Sequence, residues 1–284
     1  MNRIFNDKVI LRKLISVLFS FALMIGIVLI GVSALLGTTV LSPDYMMKQM
    51  EKSGYLLSIE EKIESDFISY GMSGGLDEEF FHEAGVYNNI RSDMFLEINR
   101  VFDPLAPGPD YERFRNNLYI KIMSYIAQQD IEITDEIDEA IVYLVELCLA
   151  DYAKMIGFPL TSILSGLAET LRTLIWTFGI IGIALIVISI IVIIKLWPGS
   201  WKKSAFPYWF YSLCGSALFF AFISMYITLS GRIEKIVILD KAFYSFVTMY
   251  ANGIFELMLL FAVLPILILL ILSINYRRRL RLET

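Results

Sequence analysis

From Leu174 to Ile194 the chain carries no charged residue, and almost every position is Ile, Val, Leu, Ala or Gly. At about 1.5 Å of rise per residue, a helix of that length crosses the roughly 30 Å hydrocarbon layer of a bilayer. Arg172 and Lys195 bracket the stretch. Inside lipid a backbone has no water to bond its amides, so a lone spanning segment must be a helix. Three further stretches are long and apolar enough as well: Leu14 to Leu36, Tyr208 to Leu229, and Phe246 to Ile274, the last with Glu256 as its one charge. Aromatic residues suited to the headgroup level lie before the third (Trp197, Trp201, Tyr208, Trp209) and after the fourth (Tyr276). The composition agrees, with 57% apolar residues, 19% charged and a mean hydropathy of +0.64. A soluble domain keeps more charge on its surface.

The distribution of Lys and Arg sets the expected orientation. Eleven basic residues lie before the first span, between the second and third, and after the fourth, against only Asp7 and Glu283. The region Leu41 to Glu169 instead holds 24 acidic and nine basic residues, a net charge of −15. The basic segments are expected in the cytoplasm and the acidic region outside. This predicts a cytoplasmic N-terminus (1–13), a first span (14–36), an acidic extracytoplasmic domain (41–169), a second span (174–194), a cytoplasmic loop (195–207), a third span (208–229), an outer loop (230–245), a fourth span (246–274) and a basic cytoplasmic tail (275–284). The first span exceeds the roughly 7 to 15 apolar residues of a signal-peptide core and is read as an uncleaved anchor. The expected fold class is an all-α polytopic membrane protein with four transmembrane helices and an all-helical extracytoplasmic domain between the first and second. Both termini are expected in the cytoplasm, and the expected location is the cell membrane.

Apolar residues in the acidic domain recur at helical spacing, and alternation of period two is nearly absent. Ser42, Pro43 and Asp44 read as a helix start, with a stop at Gly54. Ser58 and Glu61 read as a capping box opening a helix that stops at Gly71. Asp77 reads as the cap of a short helix through Phe80 and Phe81, and a further helix is expected from Val86 to Phe102, before the proline-rich loop 104–109. Tyr111 to Ala127 reads as one helix, and Thr134 as the cap of another through Tyr152. Gly157, Phe158 and Pro159 read as a break before a helix that runs into the second span.

Few residues carry obvious chemistry. Cys148 and Cys214 stand in different surroundings, which excludes a disulfide framework and a cysteine-based metal site. His82, the one histidine, has Glu78 one turn before it and Glu79 and Glu83 nearby, and reads as a structural or solvated residue rather than a ligand. Asp135, Glu136, Asp138 and Glu139 crowd the first turn of a helix, where negative charge suits the dipole. They are a candidate acidic site for a cation or a cationic partner, although the spacing of an EF-hand loop is missing. Glu256 is the single ionisable residue well inside a span and, with Asn252 one turn earlier, is the intramembrane polar candidate. Gly179, Gly182, Gly215 and Ser216 are small enough to mark close helix packing. No cofactor, metal or catalytic residue is expected.

The segments Leu41-Ser42-Pro43, Glu51-Lys52-Ser53-Gly54-Tyr55 and Ser73-Gly74-Gly75-Leu76-Asp77 resemble a group of uncharacterised membrane proteins of Gram-positive bacteria. That resemblance implies a bacterial cell membrane and no particular activity. The topology is also similar to that of FtsX-like and MacB-like permeases, but the short stretch Lys195 to Pro207 lacks room for their coupling helix. The expected function is that of a non-enzymatic membrane component whose outer domain binds a protein partner or envelope ligand while the spans mediate assembly. The alternative is a subunit of an oligomeric channel or transporter with Glu256 near the pathway. The expected partners are the lipid bilayer and either further copies of the chain or a membrane protein complex, with no nucleic acid.

Overall fold

The computed structural model describes residues 2–83, 89–157, 161–197 and 205–282, and these are all-helical. The helices are α1 (Asn2–Thr38), α2 (Pro43–Lys52), α3 (Tyr55–Ser73), α4 (Glu78–Glu83), α5 (Ile90–Phe102), α6 (Tyr111–Gln128), α7 (Asp135–Ile156), α8 (Thr161–Leu196), α9 (Phe206–Leu229) and α10 (Lys241–Leu282), with a 3-10 turn at Ile233–Lys235. Among the described residues, four segments are long and apolar enough to cross a membrane: Val9–Thr38, Ser165–Leu196, Phe206–Lys235 and Lys241–Ile274. The chain divides into two compact units. One comprises Met1–Ser42, Thr170–Val237 and Val247–Thr284; the other comprises Pro43–Glu169 and Ile238–Phe246.

In the first unit the usual sorting of side chains is inverted. Ser16, Ser20, Ser212 and Ser216 are buried, while Leu18, Ile180, Phe222 and Leu264 are exposed. Lipid as solvent accounts for this, since hydrocarbon draws Leu and Ile outward and leaves small or hydrogen-bonding residues between helices. Ser20 Oγ donates to Tyr208 O at 2.8 Å, and Ser212 Oγ donates to Ser20 O at 2.8 Å, stitching α1 to α9. The α1–α8 crossing is a glycine pair: a Cβ on Gly26 would stand 2.9 Å from Gly182 O, and one on Gly182 would stand 3.0 Å from Gly26 O. Ser33 Oγ reaches Ile175 O at 2.8 Å at the Arg172 end. At the opposite end Trp197 Nε1 donates to Ser16 Oγ at 3.0 Å, and Phe206 stacks on Tyr276 at 4.4 Å.

The second unit has an ordinary apolar core, with Met50, Ile63, Phe67, Phe81, Met94 and Leu118 all buried. Three positions differ from the sequence reading. α3 begins at Tyr55, not at Ser58, because Gly54 at φ +74° turns the chain and both Tyr55 and Leu56 are buried. Ser58 Oγ therefore donates back to Tyr55 O at 2.7 Å instead of capping. α3 also runs past Gly71 to Ser73, for Gly71 is a packing position whose Cβ would fall 2.2 Å from the Phe81 ring. α5 is described from Ile90, the start expected at Val86 lying outside the described residues, as do Phe158 and Pro159.

The third difference concerns the connection after the third span. α10 begins at Lys241, five residues before the expected Phe246, because Asp240 Oδ1 accepts from Phe243 N at 2.8 Å. Residues 238–246 belong to the second unit, where Tyr55 meets Phe243 at 5.5 Å and Phe246 at 5.6 Å between ring centroids. Burial first, and then the nearby Asp240 carboxylate, push the Tyr55 phenol up to about 12.

Candidate functional site

Between α3, α6 and α7 of the second unit lies an apolar groove of about 460 Å³. Ligand pockets fall in the range of roughly 300 to 1,000 Å³. Ile137, Ala140, Tyr143, Leu144 and Leu147 line it from α7, Ile122 and Ile126 from α6, and Tyr70 and Ser73 from α3. The lining of α7 follows its helical period, with positions 140, 144 and 147 on one stripe and Tyr143 beside them. Tyr143 is 72% exposed and Met72, next to the α3 rim, is 65% exposed, so apolar surface continues outside the groove.

The polar atoms of the α3 wall are already committed. Tyr70 Oη donates to Asp151 Oδ2, and Ser73 Oγ donates to Ser69 O at 3.1 Å. The bond to Asp151, more than burial, raises the Tyr70 phenol to about 12. Three more phenol-to-carboxylate links join helices: Tyr152 to Asp93 at 2.6 Å, Tyr119 to Asp138 at 2.5 Å and Tyr125 to Asp77 at 2.8 Å. Tyr152 is raised by burial first and by Asp93 second, and its ring stacks on Phe114 at 4.1 Å. Cys148, one turn before Tyr152 and wholly buried, has its thiol pushed up to about 12 by burial and by the neighbouring Asp151. Raising the pKa suppresses the thiolate, which is the reactive form.

These links also place part of the acidic cluster. Thr134 Oγ1 accepts from Ile137 N at 3.4 Å, which sets Asp135, Glu136 and Asp138 in the first turn of α7. Asp138 is held by Tyr119, while Asp135, Glu136 and Glu139 are exposed. Among the described residues no three His, Cys, Asp or Glu side chains gather as a metal site would require. Helix α4 contains His82, whose side chain lies outside the described residues, and Asp77 Oδ1 caps that helix by accepting from Phe80 N at 2.8 Å.

In the first unit, Glu256 is exposed and Asn252 half-buried. Along α10, Glu256 stands 21 residues before Arg277, about 31 Å at the ~1.5 Å helical rise, or one full hydrocarbon thickness. Around it, Ser224 Oγ donates to the adjacent Phe255 O at 2.7 Å, Leu35 clusters with Met258, and Tyr250 Oη reaches Thr39 O at 3.4 Å. Ser224 lies on α9, Leu35 lies in the last turn of α1 and Thr39 directly follows that helix. Within the segment Lys241–Ile274, Glu256 stands 15 residues from one end and 18 from the other.

Of the four packing candidates, Gly182 meets Gly26, and Gly215 is covered by Met24 with its Sδ only 2.5 Å from an added Cβ. Gly179 has only Ser33 Oγ nearby at 3.6 Å, and Ser216 Oγ donates to Leu213 O at 2.9 Å within its own helix. Sequence reasoning missed Gly26 and Gly31, the latter under the Phe220 ring with Cζ 2.4 Å from an added Cβ. It also missed the groove and the phenol–carboxylate links. Searches against protein-family models, curated proteins and solved structures return no match.

Proposed function

We propose that this chain is a non-enzymatic integral membrane component whose helical domain, 41–169, lies outside the cytoplasm and binds a protein partner or envelope ligand. The single observation that carries the reading is the open apolar groove between α3, α6 and α7, with exposed Tyr143 on its rim. An apolar hollow at a surface, with apolar surface continuing on its rim, is a candidate binding feature. The positive-inside distribution supports the orientation, and so does the packing of 238–246 into the same unit as 43–169. The first and third connections along the chain then lie on one side. The buried serines and the Gly26–Gly182 crossing support a role for the spans as an assembled anchor. The bacterial cell membrane remains the location that the Gram-positive resemblance implies.

The test is photocrosslinking from position 143 in native membranes, with p-benzoylphenylalanine in place of Tyr143. A discrete adduct is expected. Absence of any adduct, with the same probe at exposed Leu105 as background, refutes the reading. A second reading, a subunit of an oligomeric channel or transporter, is favoured by the exposure of Glu256 on the outer face of α10. Reconstitution of the parent chain and of Glu256→Gln separates the two, since a subunit that conducts changes its flux and an anchor shows none.

A further inference from the structure

We propose that the α3/α6/α7 groove takes an amphipathic, cationic helix from a partner protein. This inference rests on the reading of the groove as the binding site and adds the chemistry of its occupant.

Three features of the groove select that occupant. The first is its length and shape. From Ile137 to Leu147 the α7 wall covers ten helical steps, about 15 Å, which matches helix anchors spaced i, i+3 or i+4, and i+7. The walls are helices with internally bonded backbones, so there is no sheet edge among the described residues to pair with an extended peptide. The second is the absence of spare polar chemistry on the α3 wall. Tyr70 and Ser73 already donate to Asp151 and Ser69, so a small polar ligand finds little there to fix its orientation. An apolar helical face asks for nothing more than contact area.

The third feature is charge. Asp66 and Asp151 lie close enough to Tyr70 to raise its phenol, and Asp77 directly follows the lining residue Leu76. On α7, Glu136 falls on the stripe of Ala140, Tyr143 and Leu147, and Glu139 lies one turn before Tyr143; both are exposed. Lys121, beside Ile122, is the basic residue nearest in sequence to the α6 lining. The whole segment 41–169 has a net charge of −15. A low-polarity floor with an anionic border complements a helix whose apolar stripe is flanked by Lys and Arg, and the border speeds encounter with it.

The test uses the full chain in nanodiscs of zwitterionic lipid and a fluorescent Leu/Lys amphipathic peptide of about 14 residues, roughly four turns. A same-composition scramble without a stripe and a Leu/Glu amphipathic peptide serve as controls. The expected result is saturable binding of the Leu/Lys helix alone, weakened about 30-fold by Ala140→Trp, the ratio of one interface hot spot. The pair Glu136→Lys and Glu139→Lys is expected to slow association and flatten its salt dependence. Protection of Cys148 from thiol reagents verifies that each variant is folded. Equal binding of the scramble, or binding unchanged by Ala140→Trp, overturns the proposal. Anilinonaphthalene sulfonate tests the groove separately. If Ala140→Trp expels the dye while no peptide binds, the helix proposal fails and the groove reading stands. If neither dye nor peptide responds to Ala140→Trp, both fail.

Discussion

Replacing Tyr152 by Phe removes one hydroxyl from the buried centre of the second unit and little else. The ring keeps its stack on Phe114, with centroids 4.1 Å apart, so the apolar packing is preserved. What is lost is the 2.6 Å bond from the phenol to Asp93, which ties α7 to α5. A hydrogen bond to a charged acceptor contributes about 1.5 to 3 kcal/mol net. At ~1.4 kcal/mol per factor of ten, the population of the opened domain rises about 10- to 140-fold. Cys148 reports that population directly. It is fully buried one turn away, and its thiol, raised to about 12, is unreactive in the closed state. With Cys214→Ala as background and reagent dilute enough that reclosing outruns labelling, the modification rate follows the opening equilibrium. Asp93→Asn should accelerate labelling as well, and the double variant should add little to Tyr152→Phe if the two residues act as a pair. A rate within twofold of the parent for Tyr152→Phe would refute the idea that phenol–carboxylate links hold this domain together.

Three other outcomes follow. Gly26→Ala should destabilise the first unit by about 1 to 3 kcal/mol because the new methyl meets the Gly182 carbonyl, whereas Gly179→Ala should change little; thermal unfolding in detergent distinguishes them. Raising pH should unfold the second unit: a phenol whose pKa is raised in the fold contributes stability in full below its unfolded value near 10 and loses it as pH climbs toward about 12. The urea midpoint followed by circular dichroism should hold steady from pH 7 to 9 and fall steeply above 10. Glu256→Gln should leave thermal stability within about 0.5 kcal/mol of the parent, as for an exposed site without a structural partner among the described residues.

The spans were legible in the sequence because lipid demands length and apolarity, and both are one-dimensional properties. Residues 174–194 fall inside Ser165–Leu196 on those grounds alone. Which face of each span turns inward was not legible, since Leu and Ser are sorted there by neighbours in space. Gly26 and Gly182 become partners only when α1 and α8 cross. Helix starts with a side-chain acceptor, such as Thr134 and Asp77, were readable from local chemistry. The start of α3 was not, because burial of Tyr55 and Leu56 outweighed the cap offered by Ser58. The four Tyr–Asp links span 19 to 81 positions in the chain, beyond the reach of any local pattern. Asp93, Asp138 and Asp151 are acceptors between helices, a role that no local pattern singled out. Glu256 was legible as an ionisable residue of its span and stands inside Lys241–Ile274, whereas the bond from Ser224 to the adjacent Phe255 O was not legible.

Cysteine mapping in intact cells tests the central claim most directly, with single thiols at Leu105→Cys in the exposed domain loop and at Arg281→Cys in the tail, in a chain lacking Cys148 and Cys214. A membrane-impermeant maleimide should label position 105 at once and position 281 only after permeabilisation. Labelling of 281 with protection of 105 would invert the orientation, and equal labelling of both in intact cells would contradict four crossings with the acidic domain outside.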